Sequence, residues 1–119
     1  MVPRDAVRCN WFSTARGIFE KADPARHDFA APEDFLRVLK AYDGPVNFIT
    51  DDDITGGNSG SPVLNARGEM VGLAFDGNKE SLSSDVWFVP SVTRCVCVDI
   101  RYILFILTHC YHSPVVAEL

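Results

Sequence analysis

The stretch Thr55-Gly56-Gly57-Asn58-Ser59-Gly60-Ser61-Pro62-Val63-Leu64-Asn65-Ala66-Arg67-Gly68-Glu69-Met70-Val71-Gly72-Leu73-Ala74-Phe75-Asp76-Gly77 decides how the rest of the chain is read. It opens on a glycine-rich turn. Ser61 to Leu64 and Glu69 to Phe75 then read as two strands. Asn65-Ala66-Arg67-Gly68 joins them as a hairpin turn, with Asn at its first position and Gly at its last. Taken alone, Gly, Asn and Ser are ordinary turn residues, and a plain strand connection accounts for them. Acyl transfer offers a sharper account. It needs a hydroxyl exposed on a tight turn, with backbone N–H groups aimed at the developing oxyanion. Glycine on either side of Ser59 admits backbone angles that other residues resist, and lets a substrate carbonyl come close. Ser59 is therefore the candidate nucleophile. The N–H groups of Gly57 and Ser59 are the candidate oxyanion donors, and Pro62-Val63 ties the turn to a rigid sheet.

Working outward, Val46-Asn47-Phe48-Ile49-Thr50 alternates as a strand does, and Asp51-Asp52-Asp53 reads as a solvated loop. Pro32 to Lys40 reads as a helix. Pro stands at its first position, Glu33 and Asp34 fill the first turn, and Phe35, Leu36, Val38 and Leu39 form an apolar face. Asp43-Gly44-Pro45 ends it. Residues 1–30 are expected to be an irregular arm, broken by Pro3, Gly17 and Pro24, with one short amphipathic piece from Arg16 to Lys21. Downstream, Val86 to Val89 and Val92 to Val98 are predicted strands, and Asp99 is a fitting N-cap for a last helix over Ile100 to His109. The predicted fold class is mainly β with flanking helices. An arm over 1–30 precedes a β unit over 31–119 that carries a short N-terminal helix and a C-terminal helix.

The 119 residues make one small domain or part of a larger one. At 47% hydrophobic content a core is within reach, and a net charge of −5 with scattered Lys and Arg disfavours nucleic acid as a partner. Ile103 to Leu107, the apolar run near the C-terminus, is far too short to span a bilayer, so no membrane partner is expected. The start, Met1-Val2-Pro3-Arg4-Asp5, lacks the apolar core of a signal peptide, so the chain by itself is expected to stay in the cytoplasm. Cys9, Cys95, Cys97 and Cys110 fit no zinc spacing. Cys95 and Cys97 share one face of a strand and read as buried apolar residues. His109, Cys110 and His112 do not converge on a helix at their spacing. No metal and no cofactor are expected. His27 reads as a solvated loop residue, and His109 and His112 as cations suited to a helix C-terminus.

The order of these elements resembles a chymotrypsin-like protease. Val71 to Gly77 follows Ser59 at the distance where that fold places the strand that lines the specificity pocket and pairs with the substrate. A more specific resemblance is to serine peptidase family 46, the bacterial dipeptidyl peptidases of types 7 and 11. It rests on Gly17-Ile18-Phe19-Glu20, Val46-Asn47-Phe48, Asp53 to Asn65, Gly72 to Asn78, Asp85 to Phe88, Arg94, Val98 to Tyr102 and Ala117-Glu118-Leu119. It covers the chain from about Gly17 to the end.

The resemblance implies the C-terminal portion of a chymotrypsin-like double β-barrel, acting on peptides with a free N-terminus and releasing dipeptides. By it, Ser59 matches the nucleophile of a Ser-His-Asp triad, and Gly57 and Ser59 match the oxyanion donors. Asp76 matches an acid that holds the substrate's α-amino group, and Phe75 lies on the substrate-pairing strand. Gly77 matches the position that separates the two specificities: arginine there suits an acidic P1 side chain, glycine a hydrophobic one. The full-length enzymes are periplasmic by the same resemblance. Their catalytic His and Asp precede a large helical insertion. The N-terminal barrel and helical domain are thus implied partners that this chain lacks, and negligible activity is expected of it alone. Two departures stand out: Cys95 and Cys97 replace small or hydroxyl residues, and the first 16 residues fit poorly. Two alternatives remain open at this stage, part of a glutamyl-endopeptidase-like enzyme and a non-catalytic pseudo-enzyme domain.

Overall fold

The structure, a computed structural model, describes residues 10–78, 81 and 86–118. Its centre is one antiparallel sheet of five strands: β1 (Phe12–Thr14), β2 (Pro45–Thr50), β3 (Pro62–Leu64), β4 (Met70–Gly77) and β5 (Cys95–Asp99), in the spatial order β1-β2-β5-β4-β3. Three helices flank it: α1 (Ala15–Lys21), α2 (Glu33–Leu39) and α3 (Ile100–His109). Short 3-10 turns cover His27–Phe29 and Pro114–Glu118.

The sheet is organised around β5, whose alternating pattern buries Cys95, Cys97 and Asp99 and half-buries Val96 and Val98. Cys97 lies opposite Phe48 of β2 on one side and Ala74 of β4 on the other. Ala74, Cys95 and Cys97 form the buried cluster, with Phe48, Ile54 and Val63 packed on it. Gly72 marks a close approach within the sheet. A Cβ there would stand 2.5 Å from the Val98 carbonyl and 2.8 Å from the Phe48 ring, so the missing side chain is what lets Phe48 lie across the strand.

Asp99 leaves β5 and caps α3, as expected. Its carboxylate accepts the Arg101 backbone N–H at 2.9 Å and the Nε and Nη2 protons of the Arg101 guanidinium at 2.9 and 2.8 Å. Burial pushes this carboxyl up, but the hydrogen bonds and charge of Arg101 outweigh it and hold it below the usual carboxylate range. Beside α3, the Tyr42 ring packs on Phe105 at 4.9 Å, and its hydroxyl donates to the Pro45 carbonyl at 2.5 Å. The entry into β2 is thereby tied to the helix.

Two expectations need correction. Within the stretch expected to be irregular, Phe12–Thr14 forms the edge strand β1, opposite Pro45 to Phe48, and Ala15–Lys21 is helical. Met1 to Cys9 lie outside the described residues, as do Asp85 and Leu119. Val86 to Val89 is not a strand. Both sides of β5 are already paired, with β2 and β4, so this segment has no place beside β5. It turns instead: the Val89 carbonyl accepts the N–H groups of Val92 and Thr93 at 3.0 and 2.8 Å, which also delays the start of β5 to Cys95. Val86 and Trp87 are left 91% and 73% exposed.

Only Ala15, Leu39, Ala74, Cys95 and Cys97 are fully buried apolar residues among those described, while Trp11, Phe12, Leu64, Met70 and Phe75 are exposed. β1 and β3 each present an outer edge with no strand beside it among the described residues. Unpaired edges and apolar surface together favour association. We expect the isolated chain to elute above monomer size by light scattering and to bind a hydrophobic dye. A monodisperse, dye-silent monomer at tens of micromolar would contradict this.

The Cys95 and Cys97 sulfurs approach to 3.6 Å, and burial, with its neighbour's thiol, pushes the Cys97 thiol up to about 12. Such a group stays protonated and does not act as a nucleophile near neutrality. The unfolded chain releases this proton near the ordinary value of 9.0 and the folded chain only near about 12. The stability this thiol contributes is therefore fully present below pH 9.0 and is lost as pH rises toward about 12. In native buffer at pH 8, iodoacetamide should label Cys110 and spare Cys95 and Cys97, which should react once denatured. Modification of either at the native rate of Cys110 would refute their burial.

Candidate active site

Two consecutive tight turns build the segment around Ser59. In the first, the Asn58 N–H donates to the Thr55 carbonyl at 3.1 Å, and in the second the Ser61 N–H donates to the Asn58 carbonyl at 2.9 Å. Each has glycine at its third position with positive φ, Gly57 at 101° and Gly60 at 86°. That is the backbone a type II turn demands there, and only glycine adopts it without strain. Added Cβ atoms at either glycine would meet nothing within 4 Å. The requirement is thus conformational and not one of space. Ser59 stands at the second position of its turn, exposed.

Asn58 holds the two turns together. Its Oδ1 accepts the Thr55 N–H at 2.7 Å and faces the Thr55 hydroxyl at 3.4 Å. The sequence reading gave this residue no role, although asparagine's habit of bonding nearby backbone is a usable signal. The turn is fastened to β4 in both directions: the Gly60 N–H donates to the Ala74 carbonyl at 2.7 Å, and the Ala74 N–H donates to the Ser61 carbonyl at 2.9 Å.

These bonds decide which amides remain available. The N–H groups of Asn58, Gly60 and Ser61 are taken. Those of Gly56, Gly57 and Ser59 find no acceptor among the described residues, and all three residues are exposed. Uncommitted donors on a rigid turn are what an oxyanion requires.

β4 adds the second wall. Its register against β5 slips between Ala74 and Asp76, leaving Phe75 in a bulge and 45% exposed. Bulges re-aim the residues that follow them. The Phe75 carbonyl faces the Ser59 hydroxyl at 3.4 Å, so the structure brings these two candidates together. Asp76 is exposed, and its Oδ1 accepts the Gly77 N–H at 2.8 Å, which fixes the carboxylate's direction. Among the described residues, no strand lies beyond Ala74 on the side of β4 that β3 covers upstream, so residues 75–77 border an open edge.

No histidine joins Ser59. His27 is exposed beside Asp28, the His109 ring packs on Phe105 at 4.7 Å, and His112 lies past α3 with a φ of 49°. Among the described residues no helix is long and apolar enough to cross a membrane.

The Peptidase S46 family model matches residues 1–119. The chain is 48% identical over 115 residues to dipeptidyl-peptidase 7 of Phocaeicola vulgatus, a match covering 88% of this chain and 16% of that protein. It is 42% identical over 115 residues to the Asp/Glu-specific dipeptidyl-peptidase of Porphyromonas endodontalis, again covering 88% and 16%. The crystal structure of P. endodontalis DPP11 in complex with the dipeptide Arg-Asp matches with a TM-score of 0.86 at 36% identity, covering 98% of this chain and 18% of that one. The chain thus spans about one sixth of the length of the relatives it matches. With its whole length matched by the family model and these relatives aligned over most of it, the chain belongs to the peptidase S46 family.

Proposed function

We propose that this chain carries the nucleophile and oxyanion hole of a serine dipeptidyl aminopeptidase, which removes dipeptides from free peptide N-termini. The observation that carries this reading is the turn at Ser59. An exposed hydroxyl, uncommitted Gly57 and Ser59 amides and the open edge at Phe75 all lie on backbone locked to β4.

In this reading Ser59 Oγ attacks the carbonyl of the second peptide bond, and the two amides receive the negative charge that develops on its oxygen. The peptide backbone lies along residues 75–77. The Asp76 carboxylate pairs with the substrate's terminal ammonium, which sets the cut after two residues. Gly77 borders the P1 side chain and favours the hydrophobic class. The base that takes the Ser59 proton is a histidine from a part of the polypeptide outside this chain, oriented by an aspartate. The sheet is then the C-terminal half of a chymotrypsin-like double barrel, working in the periplasm together with an N-terminal barrel and a helical domain. The strand, turn and helix order and the one-sixth span of the relatives support this.

The test is a chimera in which this chain replaces the matching segment of P. vulgatus dipeptidyl-peptidase 7. The chain alone should release no dipeptide from a free-N-terminus chromogenic substrate, whereas the chimera should. Ser59→Ala should lower kcat of the chimera by at least about 10³-fold. Asp76→Asn should lower kcat/KM by about 10²-fold, the scale of a lost charge pair. A folded but inactive chimera, or one that keeps its rate with Ser59→Ala, would overturn the reading. Cleavage of N-acetylated peptides as fast as free ones would favour an endopeptidase instead.

A further inference from the structure

We propose that Ser81, held in place by Asn78, is a selectivity-determining residue of the Ser59 site, and that positions 77 and 81 act as one steric unit. This rests on the reading that Gly77 borders the P1 side chain. The direct observation is that the space a side chain at 77 would enter is already filled. A Cβ on Gly77 would stand 2.0 Å from Ser81 Oγ and 2.9 Å from Ser81 Cβ. The first atom can swing away by rotation. The second is fixed by the backbone and cannot.

That backbone is firmly held. The Ser81 hydroxyl and N–H both donate to the Asn78 carbonyl, at 2.6 and 2.9 Å. Asn78 is in turn clamped to the far end of the same loop. Its N–H donates to the Arg94 carbonyl at 3.0 Å and its Nδ2 to the Val92 carbonyl at 2.7 Å, and its Oδ1 accepts the Arg94 N–H at 3.0 Å. One side chain thus ties the end of β4 to Val92 and Arg94, and Ser81 is bonded to that anchored residue. Gly77 lies outside the left-handed region, so its identity answers to the space that Ser81 occupies and not to a backbone demand. The surface a P1 side chain meets past Asp76 is then made by the Ser81 methylene and hydroxyl, with glycine merely making room for them.

Two measurements test this. In the full chain, Gly77→Ala should lower Tm by about 5 °C, the scale of overpacking in a domain of this size, and by less than about 2 °C when combined with Ser81→Gly. An equal loss in both backgrounds would overturn the steric unit. In the chimera, Ser81→Gly should raise the ratio of kcat/KM for a phenylalanyl over an alanyl P1 residue by about 10-fold, the low end of what small changes in pocket size produce. An unchanged ratio would overturn the selectivity role even if the chain associates too strongly for melting. A chimera without any dipeptide release sinks the proposed function, and the selectivity role with it. The melting pair still decides separately whether 81 occupies the place of a 77 side chain.

Discussion

The site depends on a two-way backbone pairing. Gly60 donates to Ala74, and Ala74 donates back to Ser61. Without it, the segment from Thr55 to Ser61 would be an exposed loop of small polar residues with many accessible conformations. With it, the turn becomes an extension of the β3–β4 ladder, and Ser59 inherits the rigidity of the sheet. The rest of the sheet serves this pairing. β5 holds β4 from the other side, and Gly72 lets Phe48 lie across the strand just before Ala74. Rigid elements place reacting groups more precisely than loops do.

Which features were legible in the sequence follows from how local their causes are. The β3–β4 hairpin, the Ser59 turn and α3 are dictated by neighbours within a few residues. Their signals were Asn65 and Gly68 at a turn, glycine at positive φ, and Asp99 capping Arg101. β1 could not be read this way. Three residues of modest pattern become a strand only because Phe12 meets Phe48, far along the chain. Val86 to Val89 failed in the opposite sense. An apolar run signals that a strand could form, but not that both edges of β5 are already occupied.

The same limit applies within the site. Ser59 and Gly57 were readable as candidates, since acyl transfer asks for those residue types at that spacing. The bulge at Phe75 was not, because a slip in register depends on what β5 offers across the ladder. Nor was the closeness of Ser81 to Gly77, which the Asn78 clamp produces from the far end of the loop. The Ser59 hydroxyl, the uncommitted amides and the exposed strand edge are held on one rigid stretch of backbone, and none of the three histidines packs against Ser59.

The slip at Phe75 also separates two kinds of variation. Side chains on a strand alternate in phase, so an added or lost residue normally inverts every face downstream of it. Here both the serine turn and the residues beyond the slip are referenced to one landmark, Ala74. The tip at Asn65 to Gly68 lies in sequence between Ser61 and Ala74, and a change in its length leaves their pairing untouched. The outer end of the hairpin is thus free to drift in length and composition, and the inner end is not.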